Sequence, residues 1–425
     1  MSKIFIGIVL SLTGLHAAGQ NADTDIIFEE DSYLRENPQI EYLSSYADME
    51  IPDFINRDAN EIILNGADWS TVIGKFNSIE PRTLSIVHIG DSHIQAEIST
   101  SLTRELLQLA YGSAGRGLVS PLRLSGTNQP LDYKIESTSR WDVDKVMKPQ
   151  WKNTMGFNGI SLTLMSRTGN LTVTTTDNDD FSDPFFEISV YHSGHLHIES
   201  VADAFGRNVT FRTATSDWGT KIIFAEPLTA LRLDFSTQSS LTLHGLSLSG
   251  SRPGLFYHAI GNNGAAYATY NRIPRFSKGV ATLSPDIIVL SLGTNEAFGK
   301  ADITSFRHSV ESLIDDLKKH NPESMILVTT PMECQRRSRN RRQRRRSYTY
   351  AVNSTVETYR NELLSICREK NVAIYDWFKV AGGQGASTRW VDAKYMGSDR
   401  VHYTSAGYRL NGLLLYQALS ELIDN

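Results

Sequence analysis

The stretch "LSIVHIGDSHIQAE" (residues 84–97) decides the fold. Its first six residues form an apolar run of strand length, the pattern of a strand buried on both faces. The run stops at Gly90-Asp91-Ser92, and Ile94, Ile98, Leu102 and Leu106 then recur along one helical stripe. A buried strand feeding a helix is the unit from which parallel sheets are built. Ser92 stands at the junction, where a serine serves equally as a helix cap or as a nucleophile. The rest of the chain has to decide between them.

The same texture recurs downstream in "GLFYHAIG" (254–261), "DIIVLSLG" (286–293), "MILVTTP" (325–331) and "NVAIYDW" (371–377). Helical patterns separate these runs: Phe306, Val310, Leu313 and Leu317 on one face, a helix from about 352 to 369, and a last helix from Thr404. Five strands alternating with helices predict a doubly wound, flavodoxin-like α/β/α domain around a five-stranded parallel sheet. Between the first and second strands the pattern changes. Residues 127–250 carry short alternating runs such as "NLTVTTT", "FFEISVYH" and "ALRLDF" between Asn, Asp, Gly, Ser and Pro turns. This spacing predicts an all-β sandwich or jelly roll inserted into the α/β domain. The expected organisation is an export signal over 1–19, a tether with a packing helix over 20–80 (Ile62, Ile63, Val72, Ile73 and Phe76 at weak helical spacing), and α/β parts at 81–126 and 251–425 flanking the insertion.

A chain of 425 residues with 40% hydrophobic composition can bury a large core, and a net charge of −5 argues against a general nucleic-acid binder. Lys3, the apolar run from 4 to 15 and Ala17-Ala18-Gly19 read as a secretory signal cleaved near Gly19. That run is below the ~18 residues a membrane span needs. The expected location is periplasmic or extracellular, with no transmembrane span in the mature chain. The two cysteines, Cys334 and Cys367, are expected as buried thiols. No Cys/His cluster stands at ligand spacing, so neither a metal nor an organic cofactor is expected.

In open parallel sheets, ligands gather at the carboxyl ends of the strands. The first strand ends at Gly90-Asp91-Ser92, the second at Gly261-Asn262-Asn263-Gly264 and the third at Gly293-Thr294-Asn295-Glu296; Asp399-Arg400-Val401-His402 follows the fifth. Acyl transfer needs a hydroxyl, an imidazole to take its proton, a carboxylate to orient that imidazole, and N–H donors for the oxyanion. Ser92 supplies the hydroxyl, His402 the base and then the acid, and Asp399 the orienting carboxylate. The backbone N–H groups of Ser92 and Gly264 and the Asn295 amide would form the oxyanion hole, with Gly261 as the competing glycine.

The blocks "GDSH", "GNNGA", "GTNE" and "DRVH" resemble, in order, the four blocks of the SGNH (GDSL-type) hydrolase family. Together with the long insertion, "HIGDSHIQAE" and "YGSAGRG" are similar to its peptidoglycan O-acetylesterase branch, in which a carbohydrate-binding-module-like jelly roll interrupts the hydrolase domain. The resemblance implies the triad Ser92, His402 and Asp399, oxyanion donors at Ser92, Gly264 and Asn295, and an O-acetylated glycan substrate, most simply peptidoglycan muramic acid. His93 replaces the leucine of the GDSL form. The alternatives are an O-acetyltransferase, an acetylesterase of another polysaccharide, and a non-catalytic glycan-binding protein.

Other residues compete for attention. Adjacent helical positions diverge by about 100°, so His93 is expected beside the site rather than as its base. Asp376 and Asp392 lack the short link to His402 that Asp399 has. Glu296 is expected either to face substrate or to be solvated. The run "RRSRNRRQRRR" from Arg336 to Arg346 is expected as a solvated loop, with an anionic surface as its partner if it binds anything. Trp141, Trp151 and Trp218 could stack on sugars, but aromatics in a sandwich more often fill its core.

Overall fold

A computed structural model gives the fold, and it describes residues 49–424 apart from 79, 176–183 and 340–347. The export signal, most of the tether and most of the arginine run lie outside the described residues. The central sheet has six strands: β1 (Ile62–Ile63), β2 (Leu84–Gly90), β3 (Leu255–Gly261), β4 (Ile287–Ser291), β5 (Met325–Thr329) and β6 (Ala373–Tyr375). Their order is β1-β6-β5-β4-β2-β3. Strands β2 to β6 are parallel, in a register that sets Gly261, Gly90, Ser291, Thr329 and Tyr375 in one row at the carboxyl ends. The expected five-stranded sheet is therefore a mixed six-stranded one. Ile62 and Ile63, expected on a helix, pair antiparallel with Tyr375 and Ile374. A two-residue strand is too short to show a period, and the packing helix of this region begins only at Ser70.

The helices are α1 (Ser70–Phe76), α2 (Ser92–Gln95), α3 (Ile98–Tyr111), α4 (Tyr267–Asn271), α5 (Phe276–Ala281), α6 (Thr294–Phe298), α7 (Ile303–His320), α8 (Thr355–Glu369), α9 (Trp377–Val380), α10 (Ala386–Asp392) and α11 (Ser405–Asp424). Successive residues of a strand point to opposite faces. Leu84 and Ile86 accordingly pack with Leu102 and Leu106 of α3 and Leu410 and Leu413 of α11, while Val87 and Ile89 join the core of Phe306, Val310, Leu363 and Ile366 from α7 and α8. A layer on each face is why the run at 84–89 shows no strict polar alternation. Each fully buried Leu, Ile or Val side chain contributes roughly 1.5–3 kcal/mol.

Between β2 and β3 the chain builds two antiparallel sheets. Phe211–Ser216, Gly219–Leu228, Phe185–Gly194, Leu241–Ser249, Ile160–Leu164 and Trp141–Lys145 follow one another in the first, with Gly117–Val119 pairing against Leu241–Ser249. Tyr133–Glu136, Thr168–Thr175, Ala230–Ser236 and His197–Asp203 make the second. Leu162, Val173, Ile188, Leu231, Leu233 and Leu246 fill the core between them. The sandwich is not a free appendage: Val146, Met155, Phe157 and Tyr191 belong to the same apolar cluster as β2, α7 and α8.

The described start of the arginine run, Arg336 to Arg339, departs from the expected loop. Gln335–Arg339 is a strand paired with Tyr348–Val352 as an antiparallel hairpin. Arg336 and Arg337 are held by neighbours rather than by water alone. Arg336 donates to the carbonyls of Ala297 and Phe298, Arg337 lies over the Tyr348 ring at 4.4 Å and Arg400 over Tyr350 at 4.1 Å. Among the described residues, no helix is long and apolar enough to cross a membrane.

Candidate active site

β2 delivers the chain to the rim of the sheet, and Asp91 turns it. The Asp91 carboxylate accepts the His93 backbone N–H at 2.9 Å and caps α2, which makes Ser92 the first helical residue. α2 then lies against β3 so closely that a Cβ at Gly261 would stand 2.2 Å from Gln95 N. Gly261 is thus required for packing of the helix on the strand.

Ser92 meets a residue 310 positions away: its hydroxyl donates to His402 Nε2 at 2.8 Å. On the far side of the ring, His402 Nδ1 donates to Asp399 Oδ2 at 2.7 Å. Asp399 is fixed by its own turn, because Oδ1 accepts the backbone N–H groups of Val401 and His402, each at 3.0 Å. Partial burial would raise the Asp399 pKa, but the hydrogen bonds from the His402 side chain and from these two N–H groups outweigh it and hold the carboxyl below its ordinary value. The carboxylate is therefore ionised when the imidazole needs it. A hydroxyl, an imidazole and a carboxylate in series form the arrangement that activates a serine.

Ser92, Asn128, Gly264, Asn295, Phe298 and His402 line one open cleft of about 480 Å³. Gly264 adopts a φ of +83°, a conformation L side chains rarely take, and the side chain closest to where its Cβ would stand is Met147, from the sandwich. The loop carrying Gly264 is braced from three sides. Gln95 Oε1 accepts the Asn263 N–H at 2.8 Å, Asn295 Nδ2 donates to Ala265 O at 2.9 Å, and Glu296 Oε1 accepts the Tyr267 N–H at 2.8 Å. Asn295 Nδ2 also donates to Asp91 Oδ2 at 3.0 Å, so both its hydrogens are engaged, and serving an oxyanion means turning one of them into the cleft.

Several titratable residues are placed differently from expectation. Glu296 is neither solvated nor aimed at substrate: it faces inward onto the start of α4, and burial pushes its carboxyl up to about 7. Burial likewise raises Asp91 to about 6. Asp376 is committed to Arg360 and to Thr330 Oγ1, and Asp392 is the last residue of α10. His93 lies beside the site, as expected, and its ring packs on that of His402. Trp151 and Trp218 pack on the core shared with the α/β domain, under Arg272 and Arg275, while Trp141 packs on the sandwich core. Both cysteines are unpaired and buried, and burial pushes each thiol up to about 12.

Gln95 and Asn128 were not singled out from sequence. Gln95 Nε2 donates to Asn128 Oδ1 at 2.7 Å and to Thr127 Oγ1 at 2.9 Å, which ties the chain entering the sandwich to the loop bearing Gly264. A signal existed for Gln95, since position i+3 from Ser92 shares its helix face. None existed for Asn128, which reaches the cleft through the path of a loop.

Residues 241–410 match the family model described as the GDSL-like Lipase/Acylhydrolase family. Over that segment the chain is similar to this family. The matched segment holds Gly264, Asn295, Asp399 and His402, and Ser92 precedes it because the sandwich intervenes. That similarity, together with the hydrogen-bonded series of Ser92, His402 and Asp399, supports a carboxylic ester hydrolase. Among solved structures, one described as a peptidoglycan O-acetylesterase in action is 19% identical and covers 88% of this chain and 99% of its own, with a TM-score of 0.66. At that identity the likeness speaks for the fold alone. A lipase/acylhydrolase from Enterococcus faecalis is 18% identical over 40% of this chain and 77% of its own, with a TM-score of 0.29. No curated protein matches.

Proposed function

We propose that this hydrolase is an exported serine esterase that removes O-acetyl groups from a cell-wall glycan, with muramic acid of peptidoglycan as the substrate, and that residues 127–250 form a carbohydrate-binding module. Ser92 is the nucleophile, His402 the base and Asp399 its orienting carboxylate. The single observation that carries the catalytic assignment is the continuous hydrogen-bond chain from Ser92 Oγ through His402 to Asp399. The choice of substrate is supported by the fold shared, over nearly the whole chain, with a protein described as a peptidoglycan O-acetylesterase. Export is supported by the composition of residues 1–19.

In this reading Ser92 Oγ attacks the acetyl carbonyl as His402 Nε2 takes its proton. The oxyanion is met by the backbone N–H groups of Ser92 and Gly264 and by Asn295 Nδ2. Collapse breaks the ester C–O bond, and the sugar oxygen leaves with the proton from His402. Water, deprotonated by the same imidazole, then hydrolyses acetyl-Ser92 to acetate. Each partner contributes to a charge that develops only in the transition state, which is where binding accelerates the reaction. The arginine hairpin beside the cleft would meet an anionic wall polymer.

Acetate release from O-acetylated peptidoglycan, measured for the native protein and for Ser92→Ala, tests the reading. Release by the native protein and a loss of at least ~10³-fold in the variant is expected. Acetyl transfer to a sugar acceptor in place of release makes it a transferase. Release only from another acetylated polysaccharide moves the substrate, and glycan binding without any hydrolysis by the native protein overturns the enzyme assignment.

A further inference from the structure

The residue after the nucleophile does something that the triad does not account for. His93 lies in a slot of rings: its centroid is 5.2 Å from that of His402 at an interplanar angle of 35°, and 4.8 Å from that of Tyr403 at 41°. His93 Nδ1 and the Tyr408 hydroxyl share a hydrogen bond of 3.2 Å, which fixes the ring in its plane. Tyr408 in turn packs against Tyr403 at 5.0 Å and 52°, so α2, the turn after Met396 and α11 all hold this one imidazole. A group with no function in this place would more simply be aliphatic.

We propose that His93 is the positioning residue of the catalytic base: its neutral ring sets the plane of His402 and offers a π face to the imidazolium that His402 becomes. The inference rests on the Ser92–His402 pair of the proposed function. Two rings that both carried charge at this separation would repel, so the device works only if His93 stays neutral. Burial, and then the charge of His402, push its pKa down to about 3, against a smaller opposing effect of Asp399. A cation within about 6 Å of the centroid of an aromatic face, as of Trp, Tyr or Phe, is attracted by the ring, and a neutral imidazole face acts in the same sense. The titratable groups around the His93–His402 pair are Asp399 and Asp91, which act on His402, and Tyr403 and Tyr408, whose rings pack on His93. Among the described residues, the ring packed against that of His402 is His93.

The test is the pH profile of aryl acetate hydrolysis by the full chain, compared between native protein, His93→Leu and His93→Phe. A leucine fills space without a face; a phenylalanine keeps the face without a titrating nitrogen. With the π face removed, the imidazolium is less favoured, so the acid limb of kcat/KM should move to lower pH by roughly 0.4–1.5 units. kcat should fall roughly 2- to 30-fold with KM little changed, because the interaction grows only as the imidazole takes its proton. His93→Phe should keep the native acid limb. An unmoved acid limb in His93→Leu, or equal displacement in both variants, overturns the inference. Should His93→Leu not fold, His93→Gln, which is polar and ringless, carries the same comparison. Native protein that hydrolyses no ester, or hydrolyses it without dependence on Ser92, refutes the proposed function instead, so the two failures are told apart.

Discussion

The sheet of β1 to β6 and the sandwich between β2 and β3 are both made of strands with buried apolar faces, yet among the described residues the series of Ser92, His402 and Asp399 collects at the rim of the first. The difference lies in strand direction. Parallel strands end on one side, so every strand-to-helix loop, with its glycines, free N–H groups and short polar side chains, opens onto the same rim. Antiparallel strands end alternately at the two edges, and their turns are dispersed. In the sheet, Gly90 and Gly261 stand level with Ser291, and the loops after them bring Ser92, Gly264 and Asn295 to one cleft. In the sandwich, Leu162, Ile188 and Leu246 are wholly buried, and its contribution at the cleft is Asn128 and the approach of Met147 to Gly264. One region is a platform for chemistry and the other a packed body pressed against it.

That contrast can be broken or sharpened by substitution. The largest effect is expected at the rim: Asn295→Ala should lower kcat for ester hydrolysis by about 10²–10³-fold, the usual loss for one oxyanion donor, as read from steady-state kinetics on the folded fraction. Retention of full kcat would mean that the amide only braces Ala265 and Asp91. In the sandwich core, Leu246→Ala should cost about 2–5 kcal/mol of stability in denaturant unfolding while leaving kcat per folded molecule unchanged. A parallel fall in kcat would show that the sandwich shapes the cleft and does not merely abut it.

A smaller effect, in pH dependence, should separate the buried rim carboxylate from the exposed one. The folded-state pKa of Asp91, about 6, lies above its ordinary value of 3.8, so the folded protein binds the proton more readily. Its destabilising effect is fully present above about pH 6 and is relieved as the pH falls toward 4. The stability of the native protein minus that of Asp91→Asn should therefore increase on acidification from pH 7 to 4, by at most about 3 kcal/mol. Asp399 has the opposite sign: its depressed pKa gives stability that is present above the unfolded value and lost as the pH falls through the folded one. A flat difference for Asp91 would place that carboxylate in contact with water.

Much of this contrast is legible in the chain. Strands β2 to β6 each announce themselves as short apolar runs, and the shift to alternating runs after residue 127 separates the sandwich from the sheet. The loops that deliver Ser92, Gly264, Asn295 and His402 can be located because each follows such a run. What was not legible depends on a partner distant in sequence. Ile62 and Ile63 become a strand only because β6 has an open edge. Arg336 and Arg337 enter a hairpin only because carbonyls of α6 and the Tyr348 ring are there to receive them. Arg116 is fully buried between Glu97 and Asp132, each 2.5 Å away, although an arginine in isolation reads as solvated.

The sequence by itself determined the alternation of strand and helix, and with it the rim on which the polar residues stand, because periodicity and glycine placement are local properties of a chain. Only the tertiary structure decided that Asn295 is held between Asp91 and Ala265, that Glu296 turns inward, and that His93 lies against His402. Burial and hydrogen bonding between distant residues set the charge and direction of a side chain, and no local pattern encodes the neighbour that a group will find across three hundred positions.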